Sequence, residues 1–228
     1  MPTISGIVVA TGTEAAGRCT FSDVVDELSR TVDASDSTVR AIAGDAFRSA
    51  VRTMNRKGVW PWEILDEDIT LAANTDKYTI SGPVKKPLAM HFLSASGGVR
   101  DQRIDYQPYE LFVEEYDLNV TGQPLIYTIP NLFETGQVRF YPIPDATDYV
   151  RFTYARVTPA PKSETEVVEV PDWAIETYMA FAWVEFIKRL KGSQQPFPLS
   201  VALAEARLSF RELSASVNAP GDRTREVW

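Results

Sequence analysis

The sequence contains a single histidine, His91, and a single cysteine, Cys19, among its 228 residues. Histidine and cysteine are the side chains that most often bind zinc, and a zinc site needs three or four protein ligands. These two residues cannot supply that set, and no G-x-S-x-G nucleophile motif accompanies the histidine. Because His91 lies within the apolar run at residues 88–93, we predict that it is a sheet residue rather than a catalytic base.

Carboxylate clusters are the remaining candidates for chemistry, since two carboxyl groups at a suitable separation can hydrolyse a glycosidic bond. They occur at residues 66–68, 114–117 and 164–169. None has the spacing of a calcium-binding loop, and we interpret each as a solvated face. The glycine pair at 97–98 is a turn signal and not a phosphate-binding motif. We therefore expect no catalytic residue, no cofactor and no metal ion.

The chain is acidic, with a formal net charge of -8 and an isoelectric point near 4.8. An acidic surface repels phosphate, which argues against a conventional nucleic-acid binder but not against a channel that nucleic acid slides through. No apolar run approaches the roughly 18 residues of a membrane span, so we expect no membrane partner. A single cysteine allows no internal disulfide and suits a reducing compartment.

Two helices are predicted near the start of the chain. Thr20 is a suitable N-cap, with Asp23 three residues on, for a short amphipathic helix. From Asp36 or Ser37, apolar residues recur at helical spacing for about 20 residues, and Gly58 ends the pattern. Three arginines form a stripe on the other half of this second helix: Arg48, Arg52 and Arg56. Such a stripe is usually a solvated face; the alternatives are ion pairs with an acidic neighbour and contact with DNA phosphate.

β-branched and aromatic residues alternate with polar ones between residues 68 and 157, which is typical of strands. Residues 69–71 and 78–80 predict one hairpin, and residues 88–93 and 99–104 predict a second. A short helix is expected at 108–116, followed by strands at 125–129, 138–141 and 149–154. Strands without long intervening helices predict an antiparallel sheet or a small sandwich.

Two further helices are predicted, from Asp172 to Leu190 and at residues 199–217. The order of helices, strands and helices predicts an α+β fold, in which an antiparallel β domain is inserted into a helical bundle built from both chain ends. The predicted segments are a flexible N-terminal arm at 1–19, the bundle at 20–62 and 171–217, the β domain at 63–170, and a docking tail at 218–228.

The helix opened by Asp172 carries aromatic rings around its whole circumference: Trp173, Tyr178, Phe181, Trp183 and Phe186. A helix that is apolar on all sides must be covered on all sides, and aromatic residues are enriched where subunits meet. We predict that these rings and the arginine stripe contact neighbouring subunits. The alternative is a central helix within a monomeric bundle.

The polar tail contains the docking candidates Arg223, Arg225 and Trp228. Burying an indole ring of this kind contributes about 2–3 kcal/mol, so the ring is expected to fold back on its own chain or to dock into a partner.

Several segments share a family pattern: the helix start at 20–25, the Trp60-Pro61-Trp62 helix exit, the strand segments at 69–80 and 124–154, and the helix opening at 170–173. Together they resemble the head-to-tail adaptor proteins of short-tailed bacteriophages, of the tail-tubular-protein-A kind. The resemblance extends over residues 20–215. It implies a structural virion protein without catalytic residues.

The resemblance further implies a homo-oligomeric, twelve-fold ring beneath the portal, at the head-tail junction, after synthesis in the host cytoplasm. Residues 37–57 and 173–190 would make ring contacts, and residues 214–228 would reach into the portal protein. The β domain would contact a tail or nozzle protein, and genomic DNA would pass through the lumen without specific binding.

Two other functions compete with the adaptor. One is a β-sandwich binding module of a virion or cell surface that recognises carbohydrate or protein through Tyr106, Tyr109 and Tyr116. The other is a hydrolase with an unrecognised carboxylate pair.

Overall fold

The computed structural model describes residues 19–33, 35–116, 119–133, 136–190 and 195–218. These residues form two compact units. One, the β unit, contains Val59–Val157, and the other, the helix unit, contains the described residues before Val59 and after Val157. The protein is therefore mixed α and β, as the sequence predicts.

Within the described residues, the β unit forms one seven-stranded sheet. Its strands are β1 (Ile64–Thr70), β2 (Lys77–Thr79), β3 (Val84–Leu93), β4 (Arg100–Tyr106), β5 (Ile126–Thr128), β6 (Gln137–Tyr141) and β7 (Tyr149–Arg156). The strand order is β1-β7-β3-β4-β5-β6-β2. A short 3-10 helix, Pro61–Glu63, precedes β1. The helix between β4 and β5, Tyr109–Glu115, is the third α-helix in chain order and is called α3.

One strand pair corrects the expectation of a wholly antiparallel sheet. β4 and β5 are parallel, with Asp105 opposite Ile126 and Tyr106 opposite Tyr127. Parallel neighbours need a crossover connection rather than a tight turn, and α3 lies in the connection between these two strands. The predicted short helix at 108–116 is confirmed by α3.

Of the two predicted hairpins, one is wrong and one is confirmed. β1 pairs with β7, so that Asp68 lies opposite Arg151, whereas β2 pairs with β6. The turn signals at residues 74–76 are real, but a local turn does not determine which distant strand becomes the partner. β3 and β4 form the second hairpin, and Gly97 adopts φ 70° there, a left-handed conformation that favours glycine.

Alternation along the strands directs one face of the sheet into a continuous apolar core. Large side chains in this core include Met90, Tyr127, Phe140, Phe152 and Tyr154. Because the strands of both sheet edges contribute to the same core, the sheet curls around it.

The two edges of the sheet are also joined by a buried carboxylate. Glu67 lies in the edge strand β1, and it accepts hydrogen bonds from the N–H and the hydroxyl of Ser81, each at about 3.0 Å. Ser81 follows the opposite edge strand β2. Glu67 also accepts a hydrogen bond from the Tyr154 hydroxyl at 3.0 Å, so its buried charge is well satisfied.

The helix unit contains α1 (Phe21–Arg30), α2 (Ser37–Lys57), α4 (Asp172–Arg189) and α5 (Leu199–Asn218). The predicted N-caps of the first two are confirmed. Thr20 and Asp23 form a capping box at the start of α1. The Asp36 carboxylate accepts a hydrogen bond from the N–H of Thr38 at 2.7 Å, and Gly58 follows the last residue of α2.

Helix α2 packs against α1 and against α4, and α4 also packs against α5. Buried side chains on α2 and α4 face these contacts, among them Phe47, Met54, Tyr178 and Phe186. That the four helices form a bundle built from both chain ends stays a prediction.

Residues 158–170, which were predicted to belong to the β domain, make their hydrogen bonds within the helix unit. The N–H of Phe21 donates to the carbonyl of Glu166 at 2.9 Å, and the N–H of Val168 donates to the carbonyl of Cys19 at 3.0 Å. The Asn55 side chain donates to the carbonyl of Thr158 at 2.9 Å. This connector is therefore held by α1 and α2.

Candidate assembly surface

The five aromatic candidates of α4 lie in three different environments. Tyr178 and Phe186 are fully buried. Phe181 and Trp183 are half-buried. Trp173, in the first turn of the helix, keeps 58% of its surface exposed. The ring of this set that is most accessible to a neighbouring subunit is therefore Trp173.

The chain itself covers much of α4, because α2 and α5 both pack against it. Phe181 meets Phe210 of α5 edge to face, with 6.1 Å between the ring centroids. The ring centroids of Trp183 and Phe197 lie 5.5 Å apart. Contrary to the expectation from the sequence, rings on every side of the helix thus do not by themselves require another subunit. The role of these residues in subunit contacts stays a prediction.

The arginine stripe of α2 divides into two parts. Arg48 folds back onto its own chain: its Nε donates to the carbonyl of Pro161 at 2.9 Å, and its guanidinium lies 4.8 Å from the ring centroid of Phe21. Arg52 and Arg56 are exposed. Arg48 therefore anchors the connector, while Arg52 and Arg56 remain candidates for contact with a neighbour or with DNA.

Helices α2, α4 and α5 enclose an apolar groove of about 360 Å³. Its apolar lining consists of Phe181, Val184, Leu203, Ala206 and Phe210. The Nζ of Lys57 lies 5.9 Å from the ring centroid of Phe181 and 5.3 Å from that of Phe210. A cation held above aromatic faces in this way is stabilised by the ring quadrupoles.

The rim of this groove is basic, although the chain as a whole is acidic. Its cations are Lys57, Lys188, Arg207 and Arg211, and one carboxylate, Glu185, lies among them. Glu185 accepts a hydrogen bond from Lys188 at 2.7 Å. The remaining three cations create a positive potential over an apolar floor. We call this site, with its aromatic pair Phe181 and Phe210, the basic groove.

The basic groove was not predicted from the sequence, because it combines α2 with α4 and α5, which lie far from α2 along the chain. The available signal was the spacing of Leu203, Arg207, Phe210 and Arg211, which repeats at three and four residues and therefore shares one face of α5.

The histidine considered for catalysis is a strand residue, as predicted, and it lies in β3. Burial lowers the pKa of His91, and the nearby cations Arg100 and Arg103 lower that pKa further. Its Nδ1 is buried and has no hydrogen-bond partner among the described residues. This environment favours the neutral imidazole.

The carboxylates at residues 66–68 are not the uniformly solvated face that was expected. Glu67 is buried with 4% exposure, because strand alternation turns it toward the core. On the other face, Asp66 pairs with Arg100 at 3.0 Å and Asp68 pairs with Arg151 at 2.6 Å. Among the described residues, no three potential metal ligands come together.

The tyrosines considered for carbohydrate recognition are half-buried. Tyr106 packs on Tyr127 with 5.5 Å between the ring centroids, and Tyr116 packs on Tyr141 at 4.4 Å. The rings of Tyr106 and Tyr116 therefore contribute to packing within the β unit.

A family model described as SU10 adaptor protein matches residues 20–226. The chain belongs to the SU10 adaptor protein family. It is thus a phage adaptor-type protein, and the broad resemblance read from the sequence is confirmed. The match spans both the β unit and the helix unit. No curated protein matches the chain.

The predicted docking residues of this SU10 adaptor family member, Arg223, Arg225 and Trp228, lie outside the described residues, as does most of the predicted N-terminal arm. In the part of the chain that is described, no helix has both the length and the apolar character of a membrane span.

Proposed function

We propose that the chain is a structural subunit of a ring that connects the portal to the tail at the head-tail junction of a short-tailed phage. The observation that carries this proposal is the family match over residues 20–226. Twelve copies is the number that the resemblance to tail-tubular-protein-A adaptors implies. Each copy is synthesised in the host cytoplasm and then enters the virion, and it acts through contacts rather than through catalysis.

The charge of the chain supports a role around a DNA channel. Each copy contributes a formal net charge of -8. A channel wall of the same sign as the phosphate backbone does not retain DNA during its passage, because binding to DNA depends on neutralising phosphates with cations.

The two units supply separate surfaces for the partners in this proposal. The helix unit provides the ring contacts, and the bundle of helices from both chain ends forms the body of the ring. The β unit contacts a tail or nozzle protein, and residues 214–228 reach into the portal.

The proposal is tested by mixing the purified chain with its portal and examining the complexes by cryo-electron microscopy and native mass spectrometry. We expect closed rings on the portal, with one symmetric set of chain-chain contacts. A chain that stays monomeric and does not bind the portal would contradict the proposal.

A variant that lacks residues 219–228 tests the docking role of the tail in the same experiment. It is expected to bind the portal at least 10-fold more weakly than the full chain, because most of the proposed anchor is removed. A variant with unchanged affinity would show that the tail is not the anchor.

A further inference from the structure

The α4–α5 helix pair carries a second surface, which is lined by Trp173, Glu176 and Glu212 together with Leu213 and three smaller polar residues. We call it the Trp173 surface. Trp173 is 58% exposed, and both glutamates are exposed as well. This surface is acidic and has a large ring at its edge, whereas the basic groove is positive and has an aromatic floor.

The two surfaces lie on different sides of the helix pair. On α5, residues 203, 206, 207, 210 and 211 line the basic groove, and residues 209, 212, 213 and 216 line the Trp173 surface. At about 100° per residue, the centres of these two sets are separated by about 140° around the helix. One chain therefore cannot bring its own two surfaces together without unfolding the helix pair.

We propose that the basic groove of one copy receives the Trp173 surface of a second copy. The indole ring of Trp173 packs on Phe181 and Phe210, and the two glutamates face the cations of the rim. Trp and Arg are the residue types that most often dominate binding energy at interfaces. This assignment of the two contact surfaces goes beyond the proposed function, but their use in a ring rests on it.

This contact is head-to-tail, because the two copies use different surfaces. A head-to-tail contact closes into a ring when its rotation divides the circle evenly, whereas a symmetric contact stops at a dimer. Charge complementarity also selects against the symmetric alternatives, in which two basic grooves or two acidic surfaces would meet.

The first experiment disrupts each surface separately by substitution in the full-length chain and measures chain-chain association on the portal by mass photometry. Trp173→Ala is expected to weaken the chain-chain contact at least 10-fold. The double substitution Arg207→Glu and Arg211→Glu is expected to do the same. Since all three side chains are exposed or at the rim, the thermal unfolding midpoint of each variant should stay close to that of the parent chain.

Mixing the two variants gives a decisive second measurement. One variant retains an intact groove and the other retains an intact Trp173 surface, so an equal mixture should form dimers but no closed ring. Reversing the charges on both surfaces of one chain, by adding Glu176→Lys and Glu212→Lys to the groove variant, should restore assembly.

Matched controls come from exposed positions in the β unit. Val99 is 78% exposed, so Val99→Ala removes accessible apolar surface as Trp173→Ala does. Lys77→Glu and Asp101→Lys change the charge as the groove and surface variants do. These controls are expected to leave chain-chain association unchanged.

A photo-crosslinking amino acid at position 173 identifies directly which residues this position contacts, and the covalent bond also captures weak association. We expect crosslinks to residues of α5 or α2 that line the groove of another copy. Crosslinks to a different surface, or association that survives both sets of substitutions, would overturn the proposal while leaving the ring intact. The absence of any ring on the portal would overturn the proposed function as well.

The chain's own residues 219–228 are the competing occupant of the groove. If a photo-crosslinker placed in this segment labels the groove while Trp173→Ala leaves chain-chain association unchanged, the groove receives that segment and the proposal is wrong.

Discussion

Three consecutive carboxylates in β1 have different roles because successive strand residues point to opposite faces. Glu67 points inward and is satisfied by Ser81 and Tyr154. Asp66 and Asp68 point outward and form ion pairs across the sheet. The sequence shows that the side chain of the middle residue must point to the opposite face from those of its two neighbours, but it does not show which face is buried.

His91 offers a direct test of the electrostatics on the outward face. Burial and the cations Arg100 and Arg103 hold the pKa of His91 below its usual value, which is near 6.5. We expect Arg100→Gln to move the pKa of His91 upward, because a nearby positive charge is removed. The chain contains one histidine, so a single imidazole resonance in a proton NMR titration measures this pKa.

The sign of the linked stability follows from the same shift. The folded-state pKa is lower than the unfolded-state pKa, so the contribution of His91 is fully present above the unfolded-state value of about 6.5 and is lost as the pH falls from there through the folded-state pKa. Arg100→Gln should reduce this loss, and Arg30→Gln on α1 should not. A measured pKa of His91 above 6.5, or a pKa that Arg100→Gln leaves unchanged, would contradict this explanation.

Helices and strands differ in how much of their structure is specified locally. The start of α2 is specified by the Asp36 side chain and the N–H of Thr38, two residues apart. The pairing of β1 with β7 joins Ile64 to Ala155, so it depends on contacts that no local pattern contains. This difference explains why the helix starts were predicted and one hairpin was not.

The cap of α2 can be tested by substitution. Asp36→Ala is expected to lower the free energy of unfolding by about 1 kcal/mol, because the N–H of Thr38 loses its acceptor. Asp36→Ser should retain most of the stability, since serine also caps helices. Urea denaturation measures both variants. Ser37→Ala, at the exposed neighbouring position, is the control, and an equal loss there would argue against the cap.

At the scale of the whole molecule, the chain enters the β unit at Val59 and leaves it at Val157. The first and last strands of the unit, β1 and β7, are hydrogen-bonded neighbours. The two points where the chain crosses between the units are therefore close together in the β unit, as they are in a domain that is inserted into another.

We expect a fragment of residues 59–157 to fold without the helix unit, because it contains its own core and satisfies its own buried charges. A dispersed NMR spectrum and a cooperative urea transition are the measurements. Phe152→Ala in the same fragment is expected to lower the free energy of unfolding by about 3–5 kcal/mol, because it leaves a cavity in the core. A fragment that unfolds without cooperativity would show that the β unit depends on the rest of the chain.

The sequence by itself determined the features that depend on neighbours along the chain. These are the helix starts at Thr20 and Asp36, the short helix α3 and the hairpin at Gly97, together with the motifs that resemble phage adaptors. Only the tertiary structure decided the strand order, the parallel pair β4–β5, the packing of α2 and α5 against α4, and the basic groove. Caps and hydrophobic periods act over a few residues, whereas these other features depend on side chains that meet only after distant segments have packed together.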